Sequence, residues 1–286
     1  MELWLGLSFV DAPDLVDVAQ ACEAAGIAGV SMPDHLVLPA RVDSSYPYSD
    51  DGTVVWEPST PWPDSWVAIG AMAGATTRLR LGTGVFVGPL RQPIVLAKAV
   101  STAAALSHDR VVCGLGAGWM REEFEAVGED FASRGRRLDE LTVVLRRLWT
   151  GGMVEHSGPY YRFGPVQMVP APAVPIPIWI GGNSPAAMRR AVSQDGWICA
   201  YHDVDQAIAD LHTVLDLRRT TPAPGTAFAT AVVGPVRQPA VLHRLADAGY
   251  DAVIVPIAML TKGRRRADWL EATASAARLV VDAGIG

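Results

Sequence analysis

Eight short apolar runs recur along the chain, and helix-like segments lie between them. The runs cover residues 3–10, 27–32, 79–87, 111–115, 176–180, 196–200, 226–233 and 252–256. A strand covered by helices on both faces reads as a continuous apolar run, and helical period in the intervening segments supplies the cover. That period is plain in Leu15, Val18, Cys22 and Ala25, in Leu138, Leu141, Leu145 and Leu148, and in Leu270, Ala274, Ala277 and Val281. Further helices are predicted over 64–75, 93–106, 184–194, 204–219 and 236–248. Eight strands, each trailed by a helix, predict an α/β chain folded as a (β/α)8 TIM barrel.

The 286 residues fit one such barrel, and no linker, composition shift or solenoid repeat divides residues 1–286. Two excursions interrupt the alternation, predicting long loops after strands 2 and 4. Residues 35–63 are rich in Pro, Ser, Asp and Tyr, and residues 151–175 contain a hairpin-like stretch from Val154 to Tyr161. Loops this long are uncommon unless they cover a site.

Half of the residues are hydrophobic and 19% are charged, which supports a large core and excludes a disordered chain. The net charge is −6 and the only lysines are Lys98 and Lys262, so no basic stripe for nucleic acid is present. The run Arg264-Arg265-Arg266 reads as a solvated helix start. Cys22, Cys113 and Cys199 lie apart without metal-ligand or disulfide spacing, as expected of a reduced, cytoplasmic protein. No signal-peptide pattern opens the chain, and no apolar stretch is long enough for a membrane span.

In a parallel barrel the functional face lies where strands end and βα loops begin. The second run ends in Pro33-Asp34-His35, the third in Gly82-Thr83-Gly84-Val85, the fourth in Gly114-Leu115-Gly116-Ala117-Gly118-Trp119, and the fifth in Gly181-Gly182-Asn183-Ser184-Pro185. Glycine contributes no packing, so two such clusters point either to a flat ligand against the backbone or to tight turns. At the fifth ending, Ser184 can cap a helix whose first turn holds Pro185, which gives a phosphate seat or a plain capped helix. His35, beside the carboxylate of Asp34, is the histidine placed directly behind a strand end, where it could pass a proton to a substrate oxygen. His202 is a secondary candidate; His108, His156, His212 and His243 read as structural. Trp119, Trp179 and Trp197 read as core or rim packing, with a pocket wall as the alternative. Glu122 and Glu123 read as first-turn dipole compensation, with an acid at the site as the alternative. Nucleotide P-loop, zinc-protease and serine-hydrolase signatures are absent.

Residues 78–152 resemble the luciferase-like monooxygenase superfamily, especially its F420-dependent oxidoreductases. The matching words are Leu79-Arg80-Leu81-Gly82-Thr83-Gly84-Val85, PIVLAK at 93–98, Gly114 to Trp119, Glu123-Phe124 and Arg136-Arg137-Leu138-Asp139-Glu140. Asp34-His35-Leu36, Trp179-Ile180-Gly181-Gly182 and Asp195-Gly196-Trp197 extend the likeness over almost the whole chain. The resemblance implies a barrel that binds coenzyme F420 at its mouth, or FMN in other branches. It implies a non-prolyl cis peptide at Gly84-Val85 behind the ring, Asp34 near the cofactor, His35 facing substrate, Ala117 and Gly118 at the ring edge, and a phosphate loop at Gly181, Gly182, Asn183 and Ser184.

One position departs from that pattern. The similar sugar-phosphate dehydrogenases carry a proton-donating glutamate where this chain has Trp119, which argues against a sugar-phosphate alcohol and for an apolar or aromatic substrate beside Trp119. The implied activity is hydride transfer between the deazaflavin C5 and a small organic molecule, with His35 catalytic, no metal, a homodimer expected from the family, and an F420-reducing enzyme as functional partner. The alternatives are an FMN-dependent monooxygenase using O2 and a non-catalytic F420 carrier.

Overall fold

A computed structural model describes residues 1–49, 51–54, 56–200, 203–221 and 227–284. Strands β1 (Glu2–Gly6), β2 (Gly29–Met32), β3 (Arg80–Thr83), β4 (Phe86–Val87) and β5 (Val111–Gly116) come first. A hairpin of β6 (Met153–Ser157) and β7 (Arg162–Gln167) follows, then β8 (Ile178–Gly181), β9 (Gly196–Ala200), β10 (Ala229–Val233) and β11 (Ala252–Pro256). Apart from the hairpin they form one parallel sheet in the order β3-β2-β1-β11-β10-β9-β8-β5-β4, and pairing of β3 with β5 closes the barrel. Helices α1 (Leu15–Ala24), α2 (Ser65–Ala75), α3 (Pro93–Ser107), α4 (Arg121–Ala126), α5 (Arg134–Leu148), α6 (Pro185–Ala191), α7 (Val204–Thr220), α8 (Pro239–Ala248) and α9 (Arg266–Ala283) connect them. The (β/α)8 barrel read from the alternating runs is therefore the fold.

Strand alternation sorts the core into two shells. Leu3, Leu5, Val253 and Val255 point outward and join the helices in one large cluster, whereas Trp4, Val112, Trp179, Ile198, Ala231, Ala252 and Ile254 fill the lumen. Trp179 is thus a lumen residue, its ring 5.8 Å from that of Trp4. Trp197 stacks on Tyr250 in the outer shell.

Four expectations change. The third run is two strands, β3 and β4, which part at Gly84-Val85, where the cis bond implied by the resemblance is present. The first stops at Gly6, where the chain turns toward Phe9 in a left-handed conformation at φ 67°. The seventh begins at Ala229, and Thr226 lies outside the described residues. The second excursion leaves the end of α5 rather than the end of β5, so it is no βα loop over the mouth. Its hairpin packs on α5, where Glu140 accepts hydrogen bonds from His156 Nε2 at 2.8 Å and from the N–H groups of Tyr160 and Tyr161.

In α9 the buried residues are Trp269, Ala272, Thr273, Ala276 and Ala283, while Val281 is 78% exposed. The buried face is therefore rotated from the Leu270, Ala274, Ala277 and Val281 stripe. Alanines fall on both faces of this helix, and its one aromatic side chain, Trp269, lies on the face that turns inward.

Candidate active site

The barrel mouth is organised by the bulge at Gly84–Val85. After it, β4 pairs with β5, Phe86 against Leu115 and Val87 against Gly116. Val85 is half-buried and caps the lumen cluster. A Cβ on Gly116 would meet Val85 Cγ2, one on Gly181 would meet Val85 Cγ1, and one on Gly114 would meet the carbonyl oxygen of Thr83. On Gly118, at φ 86°, it would meet Val87 and Phe124. The glycine clusters therefore make room for the chain's own bulge. The surface they leave at the mouth is the isopropyl group of Val85, not a bare backbone floor.

Asp34 holds that bulge in place. Its Oδ2 accepts the Val87 N–H at 2.9 Å and its Oδ1 accepts Arg91 Nη2 at 2.6 Å, while the Arg91 guanidinium lies 4.3 Å from the Phe86 ring centroid. Burial pushes the Asp34 carboxyl above the usual carboxylate range, against the pull of Arg91 and the Val87 N–H. Both oxygens are engaged, so Asp34 is not the partner of His35.

That partner is Glu123. His35 Nδ1 lies 3.0 Å from Glu123 Oε2, and Glu123 Oε1 accepts the N–H of Leu36 at 2.7 Å and of Val37 at 3.3 Å. Next to it, Glu122 Oε1 accepts the N–H of Asp43 at 2.7 Å and of Ser44 at 2.9 Å. Burial would raise the Glu122 carboxyl, but its own N–H and the Ser44 hydroxyl, with the Asp43 and Ser44 N–H groups, hold it below its ordinary value. Two consecutive carboxylates in the first turn of α4 thus fasten the 35–63 excursion over the mouth. The signal was the adjacent pair Glu122-Glu123, read as dipole compensation because the excursion's free N–H groups are not visible in sequence.

The excursion brings aromatic rings onto His35. Ring centroids of Trp62, Trp56 and Trp119 lie 4.8, 5.0 and 5.7 Å from its imidazole. Tyr46 closes the cage 5.1 Å from Trp56 and 5.2 Å from Trp119, and Phe9 packs 5.5 Å from Trp62. The buried Nε1 atoms of Trp56 and Trp62 have no partner among the described residues. Half-buried Trp119 is a wall of this cage. On its other side it lines a cavity of about 320 Å³ with Ser44, Arg121, Glu122 and Phe131.

The arginine run is exposed at the start of α9, as its sequence suggested. Arg264 lies 5.4 Å from the Phe9 ring centroid, Arg265 pairs with Asp268 and Arg266 with Asp17.

At the fifth βα loop, Ser184 Oγ accepts the Ala187 N–H at 3.2 Å and caps α6. Gly182 adopts φ 120°, and its carbonyl accepts Trp197 Nε1 at 2.9 Å. The Asn183 amide is consumed internally: Oδ1 accepts the Ala200 N–H at 3.0 Å, and Nδ2 donates to the Ala200 carbonyl at 2.7 Å and to Asp210 Oδ2 at 2.9 Å. Asn183 shapes this loop, and Ser184 is its exposed side chain. Ala117 is half-buried against the outer core. His202 lies outside the described residues.

The three cysteines are buried thiols. Burial pushes the Cys22 thiol up to about 12 and the Cys199 thiol up to about 11, and raises Cys113 as well. Among the described residues no group of three His, Cys, Asp or Glu could hold a metal ion, and no helix is long and apolar enough to cross a membrane.

A flat, carbonyl-bearing ring system fits these residues. Val85 supplies an uncharged apolar backing, the positions beside it at Gly116 and Gly181 carry no side chain, and the unpartnered indole N–H groups are donors suited to ring or substrate oxygens.

Fold and site together define a parallel barrel with a bulged third strand behind an aromatic, histidine-bearing mouth. A luciferase-like monooxygenase family profile matches residues 6–278, and the chain belongs to that family. An uncharacterized protein of Mycobacterium tuberculosis is 39% identical over 191 residues, 67% of this chain and 66% of that protein. A protein named F420-dependent glucose-6-phosphate dehydrogenase, from Amycolatopsis mediterranei, is 31% identical over 191 residues, 65% of this chain and 53% of its own length. The chain thus spans less than two thirds of the length of either relative. Among solved structures, a monooxygenase from Streptomyces bottropensis superposes with a TM-score of 0.80 at 16% identity, covering 99% of both chains. An F420-dependent secondary alcohol dehydrogenase in complex with an F420-acetone adduct gives 0.74 at 14% identity, covering 99% of this chain and 98% of that one. These two likenesses establish the shared barrel.

Proposed function

We propose that the protein is an F420-dependent oxidoreductase acting on a small apolar or aromatic molecule at an oxygen-bearing carbon. The observation that carries this reading is the aromatic cage around His35, held beside an uncharged, bulge-backed barrel mouth. Kinship with a protein named for F420-dependent dehydrogenation favours the deazaflavin over other flat cofactors. When bound, the deazaflavin supplies a two-electron hydride donor or acceptor at C5.

The chain's own residues do the rest. Val85 and Gly84 back the ring, Gly181, Gly182, Ser184, Ala117 and Gly118 border it, and Asp34 keeps the bulge in register. Trp56, Trp62 and Trp119 exclude water and favour an apolar substrate body. His35 moves the proton at the substrate oxygen. Trp119 stands where the similar sugar-phosphate dehydrogenases carry a proton-donating glutamate, which argues against a sugar-phosphate alcohol.

The proposal extends to a homodimer and to a separate enzyme that recycles the cofactor. Helix α2 carries no charged residue, and exposed Val67, Val95 and Leu106 on α2 and α3 offer an apolar face to a second copy. A monomeric mass at micromolar concentration by light scattering would refute the dimer.

Titrating the protein with F420 and, separately, with FMN while following tryptophan quenching tests the cofactor. Tight FMN binding without F420 binding, together with O2 consumption on adding reduced FMN, would replace this reading with the monooxygenase. Tight F420 binding with no reduction of any acceptor would make the protein a carrier. His35→Ala is expected to lower turnover about 100-fold while F420 affinity changes less than about twofold.

A further inference from the structure

We infer that Glu123 is a positioning residue that keeps the His35 proton on Nδ1, so that Nε2 meets the substrate as a proton acceptor. This rests on the proposed reading of the mouth as a hydride-transfer site, and it names the device that orients the base.

The geometry leaves one assignment of the hydrogen. Glu123 Oε2 lies 3.0 Å from Nδ1, and its other oxygen already receives the N–H groups of Leu36 and Val37. A carboxylate has lone pairs and no hydrogen to give, and this one already serves as acceptor for two N–H groups, so the hydrogen between it and the ring is placed on Nδ1. Neutral imidazole has one N–H, and the lone pair is therefore on Nε2. The side chains are shielded from water, at 8% exposure for His35 and 2% for Glu123.

The surroundings do not reverse this assignment. Trp56, Trp62 and Trp119 pack on the imidazole, and an indole has a donor and no acceptor. Behind Trp56 and Trp119 stands the phenol of Tyr46. Asp34, the neighbouring carboxylate, is tied to Arg91 and the Val87 N–H. Glu123 is thus the anion in contact with the ring.

The step balances for an alcohol substrate. With a bound deazaflavin as the two-electron acceptor, the O–H proton would pass to His35 Nε2 while the C–H bond gave up its electron pair as hydride to that acceptor and the C=O bond formed. In the opposite direction the Nε2–H of the imidazolium returns the proton to the carbonyl oxygen as hydride arrives at carbon. In both directions the Glu123 carboxylate, 3.0 Å from Nδ1, faces the imidazolium charge.

A carboxylate that merely fastens the loop would not govern the tautomer, and this separates the roles. The test uses the full-length protein labelled with ¹⁵N-histidine, without cofactor, at a pH where histidine is neutral. The His35 resonances are assigned by their loss in His35→Asn. Wild type is expected to show the Nδ1–H form.

In Glu123→Gln, the amide oxygen can still take the Leu36 and Val37 N–H groups while its NH2 faces Nδ1, which drives the hydrogen to Nε2. Turnover should then fall about 10²–10⁴-fold, the range for a general base held in the wrong tautomer. F420 affinity should stay within about twofold, and Glu123→Asp should recover part of the loss. A wild-type His35 protonated on Nε2 overturns the inference even if neither Glu123 variant folds. So does a Glu123→Gln protein with unchanged tautomer and turnover. Failure to bind F420 would sink the proposed function, and the tautomer measured without cofactor would still decide the positioning role.

Discussion

Consider Gly181→Ala. The added Cβ would collide with Cγ1 of Val85, yet Val85 Cβ lies 3.6 Å from it, an ordinary contact. The collision is therefore with one removable methyl group. Overpacking of this kind costs about 1–3 kcal/mol, and we take about 2 for a site walled by strands on both sides. Val85→Ala removes two methyl carbons worth about 0.8 kcal/mol each when fully buried, so about 1 kcal/mol for this half-buried side chain. If the glycine exists to admit Val85, the double variant should lose only about 1 kcal/mol, the cost of Val85→Ala alone. Independent sites would lose about 3 kcal/mol together. Urea unfolding followed by tryptophan fluorescence distinguishes the two outcomes. Additivity to within about 0.5 kcal/mol would refute the claim that the glycine-rich strand ends are shaped by the bulge.

Three further perturbations test the packing and electrostatics around this frame. Asp34→Ala should cost about 3 kcal/mol by leaving Arg91 mostly buried without its counter-charge, and equal unfolding midpoints for variant and wild type would contradict that. Burial pushes the Glu23 carboxyl up, but the backbone N–H groups of Arg78, Leu79 and Thr77 outweigh it and bring it down to about 2 from the ordinary 4.5. A depressed folded value stabilises above 4.5 and loses that contribution as pH falls through about 2. Glu23→Gln should thus lower stability by about 1 kcal/mol at neutral pH, a solvent-screened value. Its melting-temperature deficit should vanish toward pH 2, and a deficit independent of pH would exclude the carboxylate. In α9, Trp269→Ala should cost about 3–5 kcal/mol and Val281→Lys nearly nothing, whereas the reverse ranking would restore the face read from its apolar spacing.

The barrel was legible because its evidence is local and repeated. Each of eight strands carries its own apolar run, and α5 carries its own stripe in Leu138, Leu141, Leu145 and Leu148, all of them buried. What escaped depends on groups that meet only after the barrel closes. Between residues 79 and 87 the apolar pattern alone continues through Gly84 and Val85, and it was the family resemblance that marked the break there, at the cis bond the structure contains. The buried face of α9 escaped for a related reason: when alanines fall on both the buried and the exposed face, spacing gives little torque and the tryptophan sets the rotation. The hairpin was recognised as a hairpin, but its place required knowing that a segment reached after a helix starts from the closed end of the barrel.

The site divides along the same line, and the division explains why His35 was found without its partner. His35 follows β2 and Glu123 follows the end of β5, with β3 lying between those strands in the sheet. Their pairing spans 88 residues and crosses over the bulged strand, so no motif spacing encodes it. Asp34, adjacent in sequence, looked like the natural carboxylate for the imidazole. It is instead drawn toward the bulge by Arg91 and the Val87 N–H, and this leaves Glu123 to fasten the crossing loop and hold the ring. The bulge therefore does two things at once. It backs the mouth with Val85, and by occupying Asp34 it hands His35 to a carboxylate from the far side of the third strand.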